Sequence, residues 1–192
     1  MKKINHGARS GARTRMGAIG IAESNVDARE GITFKNTYKF ECFDKDGKLK
    51  WTEEVHNLVT NVGLDDVLNK YFKGSAYTAA FYVGLKAAGT IAGGDTLASH
   101  AGWAESAVYS NSTRPALVLG SVSGQSVDNS ASKAVFNINA SGTVAGAFVA
   151  NDSTKSGTTG ILYGAADFSG GSRAVLSGDS LNVQITLTAA TG

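Results

Sequence analysis

One cysteine, Cys42, in 192 residues rules out an internal disulfide framework and leaves too few sulfur ligands for a zinc site. The histidines His6, His56 and His100 are too scattered to form a metal motif. No apolar run approaches the length of a membrane span; the longest, Met16 to Ala22, is too short and too rich in glycine for the apolar region of a signal peptide. Secretion is therefore not expected, and the glycosylation patterns at Asn111, Asn139 and Asn151 carry no weight without it. Charge is scarce over most of the chain. Residues 75–192 hold eleven charged side chains in 118 positions, where soluble domains average about 25%. Two readings fit this depletion: a surface that meets other protein, or a monomer solvated by hydroxyls and amides. Interface cores are depleted of charge, which favours the first.

The first sixteen residues are the opposite. Lys2, Lys3, Arg9, Arg13 and Arg15 are interleaved with Gly and Ser, and no acid occurs among them; this pattern reads as an extended basic arm and a candidate partner-binding segment. A net charge of +2 does not by itself indicate nucleic acid. No aromatic residue precedes Phe34, so the arm lacks the stacking platforms of a single-strand binder, and five charges give only non-specific, salt-sensitive binding. A protein neighbour is the favoured partner, with a plain tail as the alternative. From Ala18 to Gly31 there is no clear period, and the acids Glu23, Asp27 and Glu30 make the segment mixed in sign.

Structure is expected to begin at Thr33. Phe34, Tyr38, Phe40 and Cys42 alternate with Thr33, Lys35, Thr37, Lys39 and Glu41, the period of a half-buried strand, which places Cys42 as a packed side chain. Asp44 to Lys48 reads as a hairpin turn onto Leu49–Val59. Its Asp-x-Asp-Gly fragment fails as a calcium loop, because Lys48 and Val55 stand where ligands are required. Leu64, Val67, Leu68, Tyr71 and Phe72 then recur at helical spacing. Thr60 or Asn61 caps this helix, Asp65 and Asp66 fall in its first turn, Lys70 and Lys73 in its last, and Gly74 stops it. The Leu64, Leu68 and Tyr71 face is expected to pack on the body of the protein.

Beyond the helix, short strands are predicted at 80–86, 116–122, 133–140, 143–150, 160–164, 173–177 and 181–188, separated by turn residues. The irregular stretch 87–112 is long enough to be functional or an interface. The fold class is all-β: an antiparallel β-sandwich or jelly roll with one short helix and an extended N-terminal arm. Three regions follow: the arm 1–31, a β-hairpin 32–59, and a sandwich 60–192 that opens with the helix 60–73.

Enzyme chemistry finds no support. Ser99 and His100 are adjacent and point apart on an extended backbone, Asp95 notwithstanding. There is no Gly-x-Ser-x-Gly elbow, and Gly17 to Ala22 lacks the third glycine and lysine of a phosphate loop. No cofactor is indicated.

Taken together, several runs resemble a family of small β-rich virion structural proteins of tailed bacteriophages. They are Asn57-Leu-Val-Thr-Asn-Val-Gly-Leu64, Tyr82-Val-Gly-Leu85, Gly94 to Trp103, Tyr109, Arg114-Pro115, Val127 to Phe136, Gly146-Ala-Phe148, Ser153-Thr-Lys155 and Gly178-Asp179. The resemblance covers roughly residues 57–192 and not the arm. It implies a non-enzymatic component of a virion assembled in the bacterial cytoplasm, present in multiple copies and contacting the major capsid protein or other virion proteins, with neither nucleic acid nor membrane as partner. A capsid decoration or cement protein is the leading expectation, its arm lacing onto a neighbouring subunit. A neck, adaptor or fibre-attachment component is the alternative. A host-glycan module is a third, with Trp51, Trp103, Tyr109 or Tyr163 as its aromatics. Trp103 is expected to pin the long loop, and Arg114 to pair with Asp95 or Glu105.

Overall fold

The computed structural model describes residues 32–77 and 79–191. The arm residues Lys2, Lys3, Arg9, Arg13 and Arg15 lie outside them. Strand β1 (Ile32–Phe43) carries the expected alternation. Tyr38, Phe40 and Cys42 are fully buried, because a period of two sends them all to one face. The turn after it is built by Asp44, whose carboxylate accepts the backbone N–H of Lys48 and of Asp46, both at 2.9 Å. Those bonds hold the Asp44 carboxyl below its ordinary range, and Gly47 supplies the positive φ of +78°. The Asp-x-Asp-Gly fragment is thus used up in turning the chain onto β2 (Leu49–His56).

The remaining elements are β3 (Leu58–Val59), helix α1 (Asn61–Val67) with a wider π turn at Leu68–Phe72, β4 (Tyr82–Gly89), β5 (Trp103–Glu105), β6 (Ser126–Asp128), β7 (Ala134–Asn137), β8 (Gly142–Val144), β9 (Gly146–Ala150), β10 (Leu162–Asp167), β11 (Arg173–Val175) and β12 (Ser180–Thr191). Every strand pair among the described residues is antiparallel. One sheet runs β2-β1-β12, with β6 and β7 sharing the far side of β12; the other runs β3-β10-β9-β4-β5, and β11 with β8 forms a small third. The fold is therefore an all-β antiparallel sandwich with one short helix.

β12 pairs with β1 along its whole length, from Ile32 opposite Thr191 to Phe43 opposite Ser180. Leu181, Val183 and Ile185 of β12 are buried with Tyr38, Phe40 and Cys42 in one core. Burying each such side chain contributes about 1.5–3 kcal/mol. The hairpin 32–59 is consequently built into the sandwich, and a boundary at residue 60 does not separate two cores.

Strand placement departs from the sequence pattern in several places: the expected strand 49–59 breaks at Asn57 into β2 and β3, which join different sheets, and β5 forms within the stretch 87–112 expected to be irregular. Residues 116–122 form no strand: Ala116 makes an isolated bridge to Tyr82, and Val118 and Val122 are exposed. Their neighbour Ser126–Asp128 pairs with β12 instead, a strand too short and polar to signal itself. The stretch 143–150 is split at Ala145, with β8 joining the small sheet and β9 the large one.

The long loop is anchored by a buried charge network. Trp103 is buried against Phe148, with ring centroids 5.3 Å apart, and its Nε1 donates to Asp95 at 2.9 Å. Arg114 is buried and pairs with Glu105, not Asp95, through Nε (3.1 Å) and Nη2 (2.7 Å). Its remaining donors reach the Asp152 and Gly157 carbonyls at 2.9 and 3.0 Å. Lys86 is also fully buried, its Nζ 2.5 Å from an Asp167 oxygen. Nothing in the pattern of β4 foretold a lysine there.

Candidate interaction surface

The chain passes from one sheet to the other between β2 and β3, through Asn57. Thr60 then caps α1 as expected, accepting from the Gly63 N–H at 3.3 Å while its hydroxyl donates to the Leu162 carbonyl. The helix begins at Asn61, so Asp65 and Asp66 fall beyond its first turn. Gly74, at φ +69°, follows the π turn and ends it.

The face by which the helix packs is a correction. Leu64, Leu68, Tyr71 and Phe72 are 39%, 53%, 81% and 63% exposed; the expected inward face looks outward. The helix is held instead by Gly63 and Asp66. A Cβ at Gly63 would lie 2.8 Å from the Tyr163 backbone, so only glycine lets the helix sit this close to β10. Asp66 accepts the Tyr163 hydroxyl proton at 2.6 Å. A small residue and a charged residue do the packing, and hydropathy alone could not have pointed to either.

Beside the helix the two sheets part at one end and leave an apolar groove of about 240 Å³. Phe34 and Tyr38 of β1, Leu187 of β12, and Leu64 and Val67 of the helix form its walls. A second depression, lined by Tyr71 and Tyr77, meets it at Val67, Phe81 and Tyr163. Tyr77 and Ile32 are exposed as well, at 54% and 64%. The groove and the depression thus adjoin, with the charged Asp66 and Lys70 at the wall of the second. Exposed hydrophobics gathered in one region in this way mark interaction sites more often than singly scattered ones.

Two polar atoms lie nearby. The Tyr38 hydroxyl and Asn57 Nδ2 are buried with no well-formed hydrogen bond, yet the Asn57 side chain lies near enough to the phenol to act against the rise that burial causes. Above the groove, β1 overruns its neighbour: pairing with β2 starts at Thr37 opposite His56, whereas pairing with β12 starts at Ile32. Among the described residues, β1 from Ile32 to Lys35 has a strand on one side only.

Other candidates from the sequence are accounted for by local bonds. His100 Nδ1 lies 2.9 Å from the Trp103 carbonyl, its ring stacked on the indole with centroids 4.1 Å apart, and Asp95 is engaged by Trp103 Nε1. Neither is presented to Ser99 as a catalytic partner. Trp103 and Tyr109 are buried. Trp51 and Tyr163 are half-buried, Trp51 donating to the Ala174 carbonyl at 3.2 Å and Tyr163 to Asp66. Among the described residues no cluster of three or more His, Cys, Asp or Glu is arranged to hold a metal, and no helix is long and apolar enough to cross a membrane.

Four phenols are held protonated above their ordinary value of 10: Tyr38 by burial, Tyr77 by burial and the Asp66 charge, Tyr109 by burial and the Glu105 charge, and Tyr163 by burial and its bond to Asp66. A raised folded-state value means the stability they lend is complete below about pH 10 and is lost as pH rises through the folded values. The urea midpoint is expected to be level up to that pH and to fall above it, together with the appearance of phenolate absorbance. Phenolate absorbance equivalent to all six tyrosines at the ordinary pH, with the fold intact, would show that the buried rings are not sealed.

Searches of protein-family models, curated proteins and solved structures find no match to the chain.

Proposed function

We propose that this protein is a non-enzymatic structural component of a bacteriophage particle, a decoration or cement protein on the head shell. One observation carries the reading: exposed apolar side chains on the outward face of the helix, adjoining an apolar groove, in a chain whose residues 75–192 are poor in charge. Interface cores combine aromatic enrichment with charge depletion, and Tyr71, Phe72 and Tyr77 supply the aromatics. The resemblance of residues 57–192 to virion proteins supports the same reading, and the basic segment 1–16 supplies the lacing arm.

Deleting residues 1–31 tests the idea. The truncated protein is expected to keep its sandwich, since the described core uses none of those residues, and to leave particles at a lower denaturant concentration than the full chain. Full retention under the same conditions counts against the lacing arm. Copy number separates this reading from a neck or fibre role: hundreds per particle for a shell protein, a dozen or fewer for the others.

A further inference from the structure

The geometry points to a specific occupant for the groove: we propose that it seats residues 16–22 of a second copy of this chain. The inference rests on reading the apolar surface as a protein interface in a multi-copy assembly, and names what fills it.

Three observations converge. The groove is apolar, and Met16-Gly-Ala-Ile-Gly-Ile-Ala22 is the longest stretch without a charge before β1. Within it Ile19 and Ile21 alternate with Ala18, Gly20 and Ala22. An extended segment would therefore present Ile19 and Ile21 to one face, and Met16 with the small residues Ala18, Gly20 and Ala22 to the other. Next, β1 offers backbone donors and acceptors from Ile32 to Lys35 on its outer side, the template on which a further strand adds. Finally, Arg13 and Arg15 precede the apolar run, and Asp65 is exposed beside the groove residue Leu64.

The direction of the chain argues for exchange between copies. β1 leads outward through Ile32, 64% exposed at the rim, and residues 23–31 can span up to about 30 Å. Reaching its own groove requires the chain to reverse at that rim, whereas a neighbour's groove requires no reversal.

The test uses the isolated protein. Light scattering of the full chain over a range of concentrations is expected to show self-association, lost in a variant lacking residues 1–22. A labelled peptide of residues 13–24 is expected to bind that variant, and to bind at least about tenfold more weakly once Leu64→Asp is added, a difference of about 1.4 kcal/mol. Leu64 is partly exposed, so the substitution should leave the fold intact; the full-length Leu64→Asp variant should also fail to self-associate. Absence of peptide binding overturns the proposal. So does self-association that survives the deletion, which places the interface elsewhere. A full chain that stays monomeric while its truncated form binds the peptide overturns it too, by showing that the segment docks on its own domain. Loss of peptide binding in a protein that still attaches to particles would sink this inference alone; peptide binding in a protein that attaches to no particle would sink the virion reading alone.

Discussion

Arg114→Leu is expected to lower stability by about 3–5 kcal/mol, the cost of removing one partner from a buried ion pair, and to lower Tm by roughly 10 °C in a domain of this size. The guanidinium sits at the centre of a closed network. It holds both oxygens of Glu105 and the carbonyls of Asp152 and Gly157. Glu105 in turn accepts from the Ser156 N–H at 2.9 Å and the Tyr109 hydroxyl at 3.2 Å. Leucine would fill part of the volume and satisfy none of these groups, leaving a buried carboxylate without its countercharge. Replacing Glu105 with leucine as well removes that charge, so the double variant should lose less than the sum of the two single losses. Thermal and urea unfolding of the four proteins measure the difference. A single-variant loss under about 1 kcal/mol would mean that the network is solvated and is not what ties the 150s loop to β5.

Phe148→Ala should cost about 3–5 kcal/mol, as large-to-small changes of buried aromatics do. The ring fills the space that Gly84 leaves on the neighbouring strand: a Cβ at Gly84 would stand 2.1 Å from a ring carbon. It also packs against Trp103 and lies beneath the Arg114 guanidinium, 5.0 Å from ring centroid to Cζ. Gly84→Ala alone should therefore destabilise by overpacking, about 1–3 kcal/mol, whereas in the Phe148→Ala background the added methyl should be tolerated or mildly favourable. This reversal of sign is the check. If Gly84→Ala costs the same in both backgrounds, the glycine is there for its backbone and not for the ring.

Much of the fold was legible wherever one face is buried and the other wet. β1 and β12 declare themselves by alternation, and the Thr60 cap and Gly74 stop by residue type. The small sheet partners were not legible: Ser126–Asp128 and Trp103–Glu105 are strands because β12 and β4 offer edges to pair with, a fact of the neighbour and not of the segment. The candidate surface was half legible. Spacing located the apolar face at Leu64, Leu68 and Tyr71, but spacing cannot say whether such a face turns inward or outward. That was decided by Gly63 and Asp66, whose role depends on Tyr163, about a hundred residues away in the chain. The groove could not be read at all, since its walls come from both ends of the chain and meet only when the sheets assemble.

The pairing of β1 with β12 has a consequence for how the protein comes into being. The strand that flanks β1 along its full length lies more than a hundred residues downstream, so a growing chain makes β1 and β2 long before their principal neighbour exists. Contacts this distant in sequence slow folding, and a nascent hairpin with one greasy face and an open edge is the kind of intermediate that aggregates. Charged side chains on a strand that waits for its partner oppose edge-to-edge association, and β1 and β2 carry Lys35, Lys39, Glu41, Glu53 and Glu54.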